Sequence, residues 1–462
     1  MRKSNNGESM TPLERRASMG LAGIFGLRML GMFLILPVFA IYAKSLPGGE
    51  NHVLIGLALG MYGLTQALLQ LPFGMASDRF GRKPVIYFGL AVFALGSFVA
   101  YSAHDIYWII IGRAIQGAGA ISAAITALLA DLTREEHRTK AMAMIGTTIG
   151  MTFAVSMAVS PIIYQMIGVP GMFALTGVLS ILAILVVAKM IPDPGKSVFH
   201  SDAEVSTSRL SGVLKNAQLL RLDFGIFSLH SAQMAMFVVI PSALITSGHL
   251  PEAQHWKIYV PVMILAFVLM VPMIIYGEKK AKLKNVFVAA IVLLLFSQIL
   301  FSMVLSSFWG TVFGLLLFFT AFNILEASLP SLVSKIAPVS AKGTAMGVYN
   351  TSQSLGLFTG GAVGGVLASY GGHSAVFVFG AAMSLLWLLA AATMKAPPAI
   401  RTKMYPVEKM AEDQAKLLSQ QLSGLEGVFE AVVVGSEGVA YLKTSLKGFD
   451  EEGVLKLAGV KP

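Results

Sequence analysis

From Ala17 to Lys395 the chain alternates long apolar runs with short polar stretches. A membrane-crossing helix needs about 20 mostly apolar residues. Runs of that length fall near 17–43, 53–77, 84–102, 105–130, 140–167 and 171–191, and again near 222–247, 255–276, 285–305, 309–335, 342–369 and 374–395. The pattern predicts an all-α polytopic membrane protein with 12 transmembrane helices in two sets of six, both ends of the array on one side. Residues 193–221, between the sets, are polar and read as a linker with room for a surface helix. Beyond Lys395 the periodicity changes. Ala396-Pro-Pro-Ala399 breaks the last span, and Val407, Met410, Ala411, Leu418 and Leu422 mark one face of a soluble helix. Residues 427–434 and 439–445 read as strands around a Gly435-Ser-Glu-Gly438 turn, and residues 450–457 as a closing helix. Weaker strand patterns lie near Thr402–Tyr405 and after Gly459. The predicted division is therefore 1–192, 193–221, 222–396 and 400–462.

Composition narrows the class. The 462 residues are 55% hydrophobic and 13% charged, against roughly 25% charged in soluble domains. The net charge of +10 does not indicate a nucleic-acid partner, because its carriers cluster in alternate loops. One set holds Arg15 and Arg16; Arg79, Arg82 and Lys83; Arg134, Arg138 and Lys140; and Lys279, Lys280, Lys282 and Lys284. The other set carries little beyond Lys44 and Lys257. By the positive-inside rule the first set, with both termini, is cytoplasmic. Trp108, Trp256 and Trp309 follow the opposite loops, where indoles favour the lipid interface. The absence of cysteine excludes disulfides, thiolate metal sites and cysteine nucleophiles. The polar, basic start lacks a small-residue cleavage site before the first span, which is read as retained.

The densest charge in the array is Gly74-Met-Ala-Ser-Asp78-Arg79-Phe80-Gly81-Arg82-Lys83-Pro84, read as a very short loop between the second and third spans. A topological anchor needs the cations but neither the Asp nor the paired glycines. The halves also look duplicated. Gly74 corresponds to Gly277, Trp108 to Trp309 and Ala143-Met144 to Ala345-Met346, each at an offset of about 200 residues, as in a parallel repeat. The stretch matches the G-x-x-x-D-R-x-G-R-K signature of the major facilitator superfamily, and essentially the whole chain resembles that family's drug/proton antiporters. The resemblance implies two pseudo-symmetric six-helix bundles that rock about a central cavity. It also implies that Gly74, Asp78, Arg79, Gly81, Arg82 and Lys83, with Asp131 at the end of the fourth span, form a latch on the cytoplasmic face, where Asp78 faces Lys342-Gly343-Thr344.

Within the spans, Arg113-Ala-Ile-Gln116-Gly117 resembles a second signature of the family, associated with proton coupling. An Arg at membrane depth needs water or a partner; the alternative is a helix-end Arg that snorkels. Glu326 in the tenth span is the one carboxylate placed deep in the second half, and it suits a proton carrier. His230 is a further candidate for proton coupling. Arg28, Gln66, Gln70, Gln233, Asn323, Asn350 and Gln353 are candidates to line a substrate cavity; as single polar residues they equally suit interhelical hydrogen bonds. Leu36-Pro-Val-Phe-Ala-Ile-Tyr42 resembles a drug-antiporter pattern. Gly146-Thr-Thr-Ile-Gly150 with Ser160-Pro161 matches another only in part, since Ser160 replaces its final Gly.

The C-terminal segment resembles a ferredoxin-like domain of the heavy-metal-associated kind without its C-x-x-C, so thiolate metal binding does not carry over; the domain has room for an unidentified ligand or contact. No cofactor is expected. No G-x-x-x-x-G-K-[ST], H-E-x-x-H or G-x-S-x-G occurs, and no paired intramembrane Asp. The expectation is a bacterial inner-membrane transporter, not an enzyme, embedded in lipid and exchanging protons for a small molecule. The alternative is a proton symporter importing a sugar or metabolite.

Overall fold

The computed structural model describes residues 10–194, 207–280, 282–338, 341–395, 400–436, 438–445 and 448–459. The break at Ala396–Ala399, the strand after Gly459, Glu437 of the hairpin turn, linker residues 195–206 and residues 1–9 lie outside these segments.

Helix α1 (Pro12–Phe33) opens on a capping box: the Thr11 hydroxyl accepts from the Glu14 amide, and the Glu14 carboxylate accepts from Thr11 N–H. The span is interrupted at Leu34 and resumes as α2 (Leu36–Ala43), with Pro37 in its first turn. The Val38 amide turns to the Ile35 carbonyl. The Leu34 carbonyl accepts from the Ser160 hydroxyl at 2.5 Å, so the break leaves that group satisfied in lipid. Helices α3 (His52–Phe80) and α4 (Arg82–Tyr101) are separated only by Gly81, at φ 92°. The charged stretch is thus mostly helical rather than a loop, because one glycine, free to take positive φ, completes the turn. The fourth span is also not one helix: α5 (Ile106–Ala118) and α6 (Ser122–Asp131) flank an unwound Gly119–Ile121. Helix α7 (Glu135–Met190) is 56 residues long and holds two spans, which meet at non-helical Gly168 (φ 64°, ψ 176°) just before Pro170.

The linker carries a surface helix, α8 (Thr207–Leu214). The second bundle follows as α9 (Ala217–Gly248), a 3-10 turn at Glu252–Gln254, α10 (Trp256–Lys279), α11 (Leu283–Val304), α12 (Phe308–Ile336), α13 (Lys342–Tyr370) and α14 (His373–Ala392). Ten described stretches are long and apolar enough to cross a membrane, with kinked α7 counted once. Helix α13 completes the twelve. It falls short on composition because it is wedged between α3 and α9 and packs by backbone approach. Its Gly356, Gly360 and Gly364 lie against the Phe227, Ser231 and Ala235 backbone of α9, and its Gly361 and Gly365 against Gly56 and His52 of α3. Small residues of this kind let membrane helices meet closely. One continuous apolar core runs through both bundles.

The C-terminal segment folds as β1 (Ile400–Pro406), α15 (Glu412–Ser423), β2 (Val428–Val434), β3 (Val439–Ser445) and α16 (Glu451–Ala458). The antiparallel sheet has the order β1-β3-β2 and its own core, which includes Leu422, Leu442 and Val454. The weak pattern near Thr402–Tyr405 is a full strand. The helix starts later than Val407 and Met410, whose amides bind the carbonyls of Gly438 and Gly435 and so tie that stretch to the hairpin. The Lys403 ammonium, 2.6 Å away, and the Tyr405 hydroxyl hold the Glu451 carboxyl below the usual carboxylate range. Strand β1 packs against α7 and α12. Lys443 Nζ donates to the carbonyl of Ala337, the C-cap of α12, at 2.7 Å, and pairs with Glu430 at 2.9 Å. A cation there complements the helix dipole.

Candidate functional site

Four groups of polar or aromatic side chains stand out against the apolar core. The first lies where α3 turns into α4. The Arg82 guanidinium is almost fully buried. Its Nε meets Asp131 Oδ2 at 3.2 Å, its Nη1 donates to Ser77 Oγ at 3.0 Å, and it pairs with Asp78. Gly74 lets α3 lie against Ala123 of α6. The structure therefore assembles Asp78, Arg82 and Asp131 within the first bundle. Lys83 points elsewhere, to Asp193 beyond α7 at 2.8 Å. Arg79 sits over the Phe80 ring, 5.4 Å from its centre, outside the network. A neighbouring pair had no place in the sequence reading: Arg134 at the start of α7 contacts Glu14 of α1 at 2.8–3.1 Å through its amide and guanidinium. The capping-box spacing Thr11-x-x-Glu14 was the available signal.

The second group lies in the second bundle. Gln353 Nε2 of α13 is 2.9 Å from His230 Nε2 of α9 and donates to Glu326 Oε1 of α12 at 3.3 Å; His230 Nε2 and Glu326 Oε2 are 3.8 Å apart. His230 Nδ1 lies 3.2 Å from the Ile226 carbonyl. A donor bond there places the ring proton on Nδ1 and leaves Nε2 to accept from the amide. Three helices thus converge on one carboxylate, two of them through neutral groups. Asn323 is buried one turn before Glu326 with its amide nitrogen unpartnered, and Gln233 is buried with neither amide atom bonded. Asn350 lies on α13, half-buried. Glu326, half-buried, is not the only acid set into this half: Asp223, near the start of α9, is 6% exposed with one unpartnered oxygen. Tyr349 stands in the field of both carboxylates. Asp223 falls at the very start of the apolar run near 222–247 and drew no assignment from the sequence.

The third group is in the first bundle. Arg113 is completely buried, which removes the snorkelling alternative. Its Nη1 donates to Gln116 Oε1 at 3.0 Å, its Nε reaches the Ala58 carbonyl at 3.4 Å, and Gln116 donates in turn to Ser97 at 2.8 Å. Arg28, 1% exposed, donates from Nη1 to Ser122 Oγ at 2.7 Å. Both guanidiniums lie against the ring of Tyr62, at 4.9 Å (Arg113) and 5.7 Å (Arg28) from its centre. Gln66 and Gln70 are buried on the same helix as Tyr62, each with its amide oxygen unpartnered. Arg113 and Gln116 are thus apart from Glu326 and His230, in the other bundle. Tyr62 carried no sequence signal as one aromatic among many.

The fourth group joins the bundles. Phe33 meets Phe153 at 5.0 Å between ring centres, Phe153 meets Phe322 at 5.3 Å, and Phe322 meets His230 at 5.6 Å. At the end away from Arg82, Lys44 donates to Ser242 at 3.2 Å, and the rings of His52 and His373 lie 5.8 Å apart. With the α3–α13 glycines, these contacts close that end. Among the described residues no group of three His, Cys, Asp or Glu could hold a metal ion.

Comparison with known proteins agrees with this architecture. Residues 21–360 and 277–433 match the profile of the Major Facilitator Superfamily. The chain is 45% identical to the inner membrane transport protein YajR of Escherichia coli (strain K12) over 443 residues, 96% of this chain and 97% of that one. It is 24% identical to the quinolone resistance protein NorA of Staphylococcus aureus (strain COL) over 353 residues, 73% of this chain and 86% of that one. Among solved structures, a bacterial homolog of the human lysosomal transporter Spinster, inward-facing and occupied, superposes with a TM-score of 0.66 at 11% identity, covering 83% of this chain and 96% of that one.

Proposed function

Because this chain belongs to the major facilitator superfamily and is a secondary transporter, we propose that it is a proton-coupled efflux antiporter of small amphipathic molecules in a bacterial inner membrane, with both termini cytoplasmic. The observation that carries this reading is the Glu326–Gln353–His230 cluster. An isolated charge at membrane depth costs at least about 2.5 kcal/mol, so a carboxylate there favours carrying a proton whenever the bundle is closed around it. Gln353 and His230 sit on the helices that flank α12 and can exchange partners as that proton leaves. Access from one side at a time would then couple proton entry to substrate exit. The potential adds about 2.3 kcal/mol per charge per 100 mV.

Two further supports concern direction. The basic loops share the end that holds Arg82, which the positive-inside rule places in the cytoplasm. NorA, named for quinolone resistance, is among the relatives, which favours export. In this reading the Asp78–Arg82–Asp131 network is the cytoplasmic latch. In this conformation, where the opposite end is closed, it ties the α3–α4 turn to α6, and it engages the start of α13 when the outside opens.

The test is substrate-driven proton movement in proteoliposomes that hold a pH-sensitive dye, with wild type beside Glu326→Gln. Wild type should release protons on substrate addition and accumulate substrate against a gradient under an imposed pH difference. Glu326→Gln should equilibrate substrate without accumulation. Accumulation by the variant at the wild-type level would refute the assignment, and accumulation only in the same direction as protons would show symport.

A further inference from the structure

The first bundle holds two buried cations, Arg28 and Arg113, at 1% and 0% exposure. Among the described residues, neither Arg28 nor Arg113 has a carboxylate partner. Arg28 Nε and Nη2, Arg113 Nη2 and the Tyr62 hydroxyl make no hydrogen bond. A buried charge without a counter-ion is strongly unfavourable, and two set against one aromatic ring repel each other as well. The local backbone adds to the positive field. Helix α6 begins at Ser122, immediately after the unwound Gly119–Ile121, in the middle of the fourth span. Ser122 is also the residue that receives Arg28. The positive end of the α6 dipole therefore points into the same place. Interrupted membrane helices put such ends at sites for anionic groups.

We propose that Arg28, Arg113 and the Tyr62 hydroxyl, at the start of α6, form the binding site for an anionic group, a carboxylate or sulfonate, on the transported molecule. The inference rests on the transport reading above and names the substrate class: amphipathic organic anions. Each guanidinium is already held on one side, Arg28 by Ser122 and Arg113 by Gln116 and the Ala58 carbonyl, so their remaining N–H groups are oriented before a ligand arrives. The ring of Tyr62 holds both cations. Phe33, about one and a half turns beyond Arg28 on α1, starts the aromatic series that crosses to His230 and offers an apolar surface for the rest of the molecule.

The test uses three probes of one shape on the full-length protein in phosphatidylcholine nanodiscs: 2-naphthalenesulfonate (anionic), 2-acetylnaphthalene (neutral) and 2-(aminomethyl)naphthalene (cationic). Binding is read at equilibrium, without a gradient, as a ligand-dependent rise in melting temperature. The sulfonate should stabilise wild type at concentrations at least about tenfold lower than either other probe. Arg28→Gln should erase that preference, and Arg28→Lys, which keeps the charge without the fork, should retain part of it. Equal stabilisation of wild type by all three probes would overturn the proposal without reference to any variant. So would an Arg28→Gln protein that melts cooperatively and still prefers the sulfonate. Sulfonate binding without gradient-driven movement would remove the transport reading and leave the site. Gradient-driven export of the amine with no sulfonate binding would do the reverse.

Discussion

Arg82 is held by Asp78, Ser77 and Asp131 with almost no contact with water, and the side chain of Asp131 is fully buried against it. Removing one member of a buried pair leaves the other uncompensated, at about 3–5 kcal/mol. Arg82→Ala should therefore lower the melting temperature of the purified protein sharply. Asp78→Ala should do so far less, because that side chain is 41% exposed. If the two variants melt together, the weight given to burial is wrong. The same contrast explains what could be read in advance. Asp78, Arg82 and Asp131 were legible because charge beside an apolar run demands an explanation. Tyr62 and Phe153 were not: an aromatic ring in a lipid-embedded chain serves packing and recognition equally well, and only three-dimensional neighbours separate the two.

At the scale of elements, glycine decides how the bundles meet. A Cβ on Gly56 would strike the Gly361 carbonyl, and one on Gly361 would strike that of Gly56, so α3 and α13 can approach only as they are. Gly56→Leu should push them apart and open the end marked by His52 and His373. The chain has no native cysteine, so a short bis-maleimide bridging His52→Cys and His373→Cys reports the gap directly. Its yield should fall severalfold when Gly56→Leu is added; an unchanged yield would show that these glycines do not set the contact. The span count was legible from apolar runs, including the two spans fused in α7. The interruptions were not: membrane helices carry many glycines, and nothing local marks Gly119–Ile121 rather than Gly146 or Gly150 as the place where the helix unwinds. The late start of α15 had a similar cause, since Val407 and Met410 bond to a hairpin that a helical period cannot anticipate.

On the scale of the whole molecule, the C-terminal domain is docked rather than tethered. Lys443 holds the end of α12, and β1 lies on both α12 and α7, one helix from each bundle. Lys443→Met should therefore raise amide exchange at β1 and at the last turn of α12 in the full-length protein, and change the transport rate without abolishing it. Unaltered exchange in both places would mean the contact is incidental. The ring series from Phe33 to His230 has a different consequence. Ion pairs and hydrogen bonds fix direction and break when displaced by an ångström, whereas tilted and edge-on rings are held by dispersion that varies slowly with sideways travel. Contacts of that sort at mid-depth behave as a bearing surface: the halves can shear there at small energetic penalty while the polar fastenings at either rim open and close.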